Sequence, residues 1–296
     1  MSARPATKAR ELELNAELPP PREPSEHALR LAKTLNERLK GRAAKIRFDF
    51  IRHEAGGLPP VASLLRGGRG GDVRLKLLLS LLWVAGGGSD QRHSTNAYPA
   101  RAWAGLLDLP EPEGNGQRRI RDAIGWLEEE GFVRTMRAPG RPMALQLMRE
   151  DGSGRPYSDP AAAAKRKKKS GAAITSSDLY IGLPAPFWTD GWLVTLSGRA
   201  IAMLLVIAHV TFSERDEWPW VSPARARKLY GVSEDTWSKG IAELRARGII
   251  QVRKRPVGED DFDFRRVRNT YKLRREGRQL VLPTVSAPLS ALRGPV

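Results

Sequence analysis

Gln117, Arg118, Arg119 and Arg121 fall within five residues of the segment NGQRRIRDAIGW, where Ile120 and Ile124 recur at a helical interval. With the isoleucines turned inward, Gln117, Arg118 and Arg121 face outward near a helix start. A guanidinium can bond bidentately to guanine and a carboxamide to adenine, so these types at this spacing suit the reading of base edges in a duplex major groove. The bland alternative is an exposed polar face without a partner. A second segment, SEDTWSKGIAELRARG, offers Thr236, Ser238 and Lys239, with Arg245 and Arg247 at its far end. Its first turn also carries Glu234 and Asp235, which suit the helix dipole but repel phosphates. Base reading by this helix and a purely structural role stay equally open.

Further cations cluster downstream of each segment. Arg134, Arg137 and Arg141 surround the sequence APGR, a short cationic finger suited to phosphates or a narrow minor groove. Arg253, Lys254 and Arg255 lie across from Arg265, Arg266 and Arg268, with Glu259, Asp260, Asp261 and Asp263 between them. Three arrangements are open for these acids: a tip pointing away from DNA, a mask over the arginines, or an internally paired loop. The run KRKKK, from Lys165, either keeps its surroundings soluble and extended or adds a sequence-independent phosphate contact.

The elements that must position these residues are spelled twice. IGWLEEEGFVRTMR from Ile124 returns as IAELRARGIIQVRK from Ile241, and Ile120, Ile124 and Leu127 match Trp237, Ile241 and Leu244. In each copy a glycine, Gly131 or Gly248, follows where a helix needs a left-handed residue to stop, and a strand begins at once. Upstream, AYPARAWAGLLDLP parallels WVSPARARKLYGVS, with Ser222 and Ser233 as expected caps and Pro223 at a first helical position. The second copy has a helix-turn-helix spacing, whereas the first carries about six more residues, EPEGNG, in its turn. Apolar runs at 74–85 and 197–212 precede the two pairs; both fall short of the roughly 18 apolar residues of a membrane span and read as buried helices. Hairpins are expected after each pair, the first turning at Pro139-Gly140.

Three helices and a two-stranded wing, twice over, resemble the winged helix-turn-helix superfamily, in the tandem arrangement of plasmid replication initiators and some bacterial regulators. The resemblance implies that the third helix of each copy enters the major groove and that the wing touches the backbone or minor groove. The expected fold class is mainly α with small β-hairpins (α+β): two winged-helix domains, 73–149 and 182–276, joined by a flexible basic linker at 150–181. Residues 1–72 are expected to form a largely flexible arm with one amphipathic helix at about 25–41, and 277–296 a flexible tail. The stripe Ala28, Ala32, Leu35 and Leu39 needs a partner, either a second copy of the chain, giving a homodimer, or the chain's own first domain.

Composition points the same way. The chain has 296 residues and a formal net charge of +17 at pH 7, an excess that attracts polyanions at long range. It has no cysteine, which excludes disulfides, thiolate zinc sites and thiol catalysis. The first residues contain no apolar core, so neither a secretory signal nor an anchor is expected. Richness in Ala, Arg, Gly and Pro fits a high-GC bacterial source and a cytoplasmic, DNA-associated protein. His27, His53, His93 and His209 are isolated, and no metal motif or glycine-rich nucleotide loop occurs. The expectation is a protein that is not an enzyme, holds no metal or cofactor and binds double-stranded DNA, as a transcriptional regulator or a plasmid replication initiator. The rival is a protein-interaction or nonspecific nucleoid-binding module built on winged helices.

Overall fold

The computed structural model describes residues 22–53, 57–66, 68, 70–86, 95–96, 98–136, 139, 143–214, 217–256, 267–276 and 279–283. It is mixed α and β, with helix predominant. Glu26–Leu39 forms α1, started by Ser25, whose hydroxyl accepts from the Ala28 N–H. Its apolar stripe is covered within the chain: Ala28 and Ala32 are buried, and α1 packs on helices Ala100–Leu106 and Pro186–Thr189. Of the two partners the sequence allowed, the chain itself covers Ala28 and Ala32, while Leu35 and Leu39 stay half-buried against the same core. Gly105 makes the approach possible, since a Cβ there would sit 2.8 Å from Leu31 Cδ1.

The segment after α1 is no flexible arm. Ala44–Arg47 (β1), Phe48–Ile51 (α2) and Pro60–Leu65 (α3) bury Ile46, Phe50, Ile51, Val61 and Leu64 completely. These short apolar groups have no sustained period of their own; what orders them is the surface they cover. The first repeated unit follows as Gly71–Ala85 (α4), Ala100–Leu106 (α5), Asn115–Glu129 (α6) and the hairpin Val133–Met136 (β3) with Ala144–Leu147 (β4), to which Thr95–Asn96 (β2) adds a third strand.

The expected linker is also ordered. Pro160–Lys169 is a helix, α7, capped by Asp159, whose carboxylate accepts from the Ala162 N–H at 2.8 Å. Asp159 at the cap, Pro160 in the first turn and four alanines favour a helix here, and the cations of the last turn face its negative end. Lys167 is tied to Asp178 at 2.6 Å. The helix therefore forms despite the repulsion among the other four cations, which winding brings closer together than an extended chain would.

Tyr180–Leu183 (β5) leads to Pro186–Thr189 (α8) and Trp192–Thr195 (α9), then to the second unit: Gly198–Glu214 (α10), Pro223–Tyr230 (α11), Glu234–Ala246 (α12), and the hairpin of Ile250–Pro256 (β6) with Val267–Leu273 (β7). Arg275–Glu276 (β8) and Gln279–Leu280 (β9) close a four-stranded sheet of order β1-β5-β9-β8. Residues 279–283 of the expected tail are thus anchored, with Leu280 buried and the Pro283 carbonyl accepting from Trp192 Nε1 at 3.0 Å.

The two units share one core. β1 pairs antiparallel with β5, placing Ala44 opposite Leu183 and Ile46 opposite Ile181. α4 and α10 are buried on nearly every face and pack on each other. Trp83 and Trp188 stack at 4.4 Å, with Trp188 Nε1 donating to Ser80 Oγ. The Asp72 carboxylate accepts from the Gly198 N–H at the start of α10 and pairs with the buried Lys76 at 3.0 Å. Arg47 and Glu150, both fully buried, form an ion pair at 2.7 Å that fastens β1 to the segment after the first hairpin. Burial pushes the Glu150 carboxyl up, and the Arg47 guanidinium opposes that shift. Among the described residues no helix is long and apolar enough to cross a membrane.

Candidate nucleic-acid interface

Each third helix is seated by the residues the repeat singled out. Ile120, Ile124 and Leu127 of α6, and Trp237, Ile241 and Leu244 of α12, are all buried. Both helices end alike. Gly131 and Gly248 adopt φ of 75° and 67°, and the next N–H returns to a carbonyl five residues back, Phe132 to Leu127 at 2.8 Å and Ile249 to Leu244 at 3.0 Å. In each copy a strand follows this closure at once.

On α6 the outer face is as expected. Arg118, Arg119 and Arg121 are exposed and Gln117 is half-buried. Arg121 Nη2 donates to Gln117 Oε1 at 2.7 Å, one turn apart, which orients the guanidinium and the carboxamide as a pair. Among the described residues no carboxylate forms an ion pair with Arg118 or Arg119. The looser turn ahead of α6 is pressed against its first residues: a Cβ on Gly116 would meet the Pro110 carbonyl at 2.8 Å.

α12 differs. Ser238 is buried and cannot touch a groove, which corrects the assignment made to it. The buried face of α12 is wider than one stripe, because Ser238 and Ala242 are covered as well as Trp237 and Ile241. Lys239 is exposed but pairs with Asp235 at 2.6 Å, and Asp235 also faces Arg199 at 3.7 Å. Thr236 is half-buried and engaged with the Ser233 cap through its N–H and its hydroxyl. The polar groups of this helix start therefore satisfy one another.

The hairpins reverse that order. Arg134 is exposed on β3, while Arg137 and Arg141 lie outside the described residues. On the second hairpin Arg265, Arg266 and the acidic tip also lie outside the described residues, and the flanks are built on two tryptophans of the EWPW loop. The Arg253 guanidinium lies 4.1 Å from the Trp218 ring centroid, Arg255 lies 5.9 Å from the same ring, and Arg268 lies 4.6 Å from Trp220. Arg255 is directly opposite Arg268 in the ladder, so the two like charges share one face, where the indoles offset their repulsion. The Tyr271 N–H donates to the Pro219 carbonyl at 3.0 Å, which locks this loop to β7. Lys272 pairs with Glu217, and that hydrogen bond holds the Glu217 carboxyl below its ordinary range. Lys254 and Arg255 are exposed beside it.

Trp218 and Trp220 were not singled out in the sequence. The available signal was EWPW, two large apolar residues beside proline immediately before a capped helix. Between this loop, α11 and the hairpin lies a cleft of about 260 Å³ whose lining includes Trp220, Arg227, Trp237, Lys254, Val267 and Arg268. Scans of the chain against protein-family models, curated proteins and solved structures found no match.

Proposed function

We propose that the chain is a sequence-specific double-stranded DNA-binding protein with two unequal winged helices, α4 to β4 and α10 to β7. The reading is carried by α6: three buried apolar anchors fix its roll, and that roll presents Arg118, Arg119 and the hydrogen-bonded pair Gln117 and Arg121 outward. Guanidinium and carboxamide groups held on a rigid helix match the donor and acceptor pattern of base edges. In the second unit the balance shifts to the hairpin, where Arg253, Lys254, Arg255 and Arg268 suit phosphate contacts that position the protein without reading sequence. The net charge of +17 supplies long-range attraction. A protein of this kind works at bacterial chromosomal or plasmid DNA, as a transcriptional regulator or a plasmid replication initiator. A footprint over an array of direct repeats favours initiation, and one over a single palindrome at a promoter favours regulation.

The test is titration of a selected duplex with the wild-type protein and with Arg118→Ala/Arg121→Ala at several salt concentrations. If both arginines read bases, the double variant weakens specific binding by roughly 2–6 kcal/mol, at about 1–3 kcal/mol per contact. Wild-type log K falls linearly with log salt in proportion to the phosphates neutralised. Unchanged affinity in the double variant removes the reading role of α6, and a wild-type protein without duplex affinity leaves the protein-interaction alternative.

A further inference from the structure

We infer that the cleft between the EWPW loop, α11 and the second hairpin is a stacking site for an unpaired nucleotide of single-stranded nucleic acid, distinct from the duplex-reading face of α6. Trp220 is 37% exposed and Val267 53% exposed, the two large apolar residues left open on this side of the hairpin among the described residues. Apolar surface alone would not name an occupant; its surroundings do. Arg227 and Lys254 line the same cleft, and Arg268 lies over the Trp220 ring at 4.6 Å. Arg268 Nε is also buried with no hydrogen-bond acceptor among the described residues.

A flat apolar face ringed by cations complements a ligand that is itself flat, aromatic and anionic. A nucleotide has that combination, with its base on the indole and its phosphate toward the guanidinium groups. An acidic peptide would meet the cations but would leave Trp220 without a ring to stack on. A duplex can reach the cations with its phosphates but cannot stack on Trp220, because its bases are already stacked on one another and expose only their edges. The size agrees: about 260 Å³ lies below the range of roughly 300–1,000 Å³ typical of drug-sized ligands and suits a single base. The frame is rigid, with Trp237 Nε1 donating to Tyr271 Oη at 3.2 Å and the loop fixed to β7 through Pro219.

The inference rests on the proposed affinity for nucleic acid but not on the role of α6, and the two fail separately. The experiment measures binding of the full chain to a fluorescent 12-nucleotide oligothymidylate by anisotropy. Unlabelled competitors are an abasic oligomer of equal charge, polyglutamate and a random duplex. Stacking predicts that the abasic oligomer and polyglutamate compete at least about tenfold more weakly than oligothymidylate, and that Trp220→Ala loses about tenfold or more in affinity. It also predicts that Trp220→Phe keeps most of that affinity and that Arg118→Ala/Arg121→Ala leaves it unchanged. Equal competition by the abasic oligomer overturns the inference with wild-type protein alone, whatever the folding of the variants. Equal competition by polyglutamate overturns it in favour of an acidic protein partner. Loss of oligothymidylate binding in the α6 variant would merge the two sites and overturn it as well. Retained oligothymidylate binding by a protein with no specific duplex affinity would leave the cleft standing while the reading of α6 falls.

Discussion

At the scale of single residues, two kinds of side chain were read from type alone and came out differently. Ile120 and Ile124 settle the roll of α6, so the outward placement of Arg118 and Arg121 followed from spacing. Ser238 was misread because hydrophobicity marks only the core of a buried face, and a serine at its margin can be covered by neighbours it does not specify. His209 carries a pH dependence. It is buried on α10 between Phe48 and Tyr230, with Nδ1 3.1 Å from the Tyr230 hydroxyl. Burial, with Arg52 and Arg225 nearby, lowers its pKa from 6.5 to about 3. The unfolded imidazole takes up its proton near pH 6.5 and the folded one does so only at much lower pH. The stability this neutral histidine contributes is therefore complete above pH 6.5 and is lost as pH falls from there toward 3, by up to about 1.4 kcal/mol per pH unit. Denaturant titrations between pH 7 and 4.5 should show His209→Gln with a shallower acid slope than wild type, even if it is less stable at pH 7. Parallel slopes would remove His209 from the acid response.

At the scale of elements, the legible features were those with a period and a stop. The helix ended by glycine and followed at once by a strand was readable in both copies, because a left-handed residue at that point has few substitutes. The short apolar helices α2 and α3, and the helix α7, were not. The former have too few turns for a period to show, and the latter was hidden by a charge run whose repulsion is outweighed by the Asp159 cap, the alanines and the Lys167–Asp178 pair. α10 and α12 show how closely the elements fit. A Cβ on Gly240 would sit 2.4 Å from Met203 Cγ and 2.9 Å from the Arg199 carbonyl, so the helix axes are as near as a bare backbone permits. Gly240→Ala gains helix propensity of about 1 kcal/mol, but overpacking of this kind costs typically about 1–3 kcal/mol. The backbone carbonyl cannot swing aside as a flexible side chain can, so the sum is destabilising. Thermal melting should place Gly240→Ala below wild type, whereas a raised midpoint would mean that the two helices stand farther apart than described.

At the scale of the whole molecule, the sequence suggested two domains on a flexible tether, and the chain instead builds one continuous core around α4 and α10. The contacts that fuse the units were invisible to pattern reading because each joins residues more than 100 positions apart: Asp72 with Gly198, Ser80 with Trp188, and Ala44 with Leu183. On the proposed function the fusion matters for recognition, since α6 and the second hairpin, set on one core, would have a fixed separation, whereas tethered units would accept many. The most direct measurement is selection of bound duplexes from a random library at near-physiological salt. The account predicts an enriched motif with one invariant spacing between a strongly specified half-site, read by α6, and a weakly specified flank held by the second hairpin. Salt-sensitive binding without any enriched motif would contradict it.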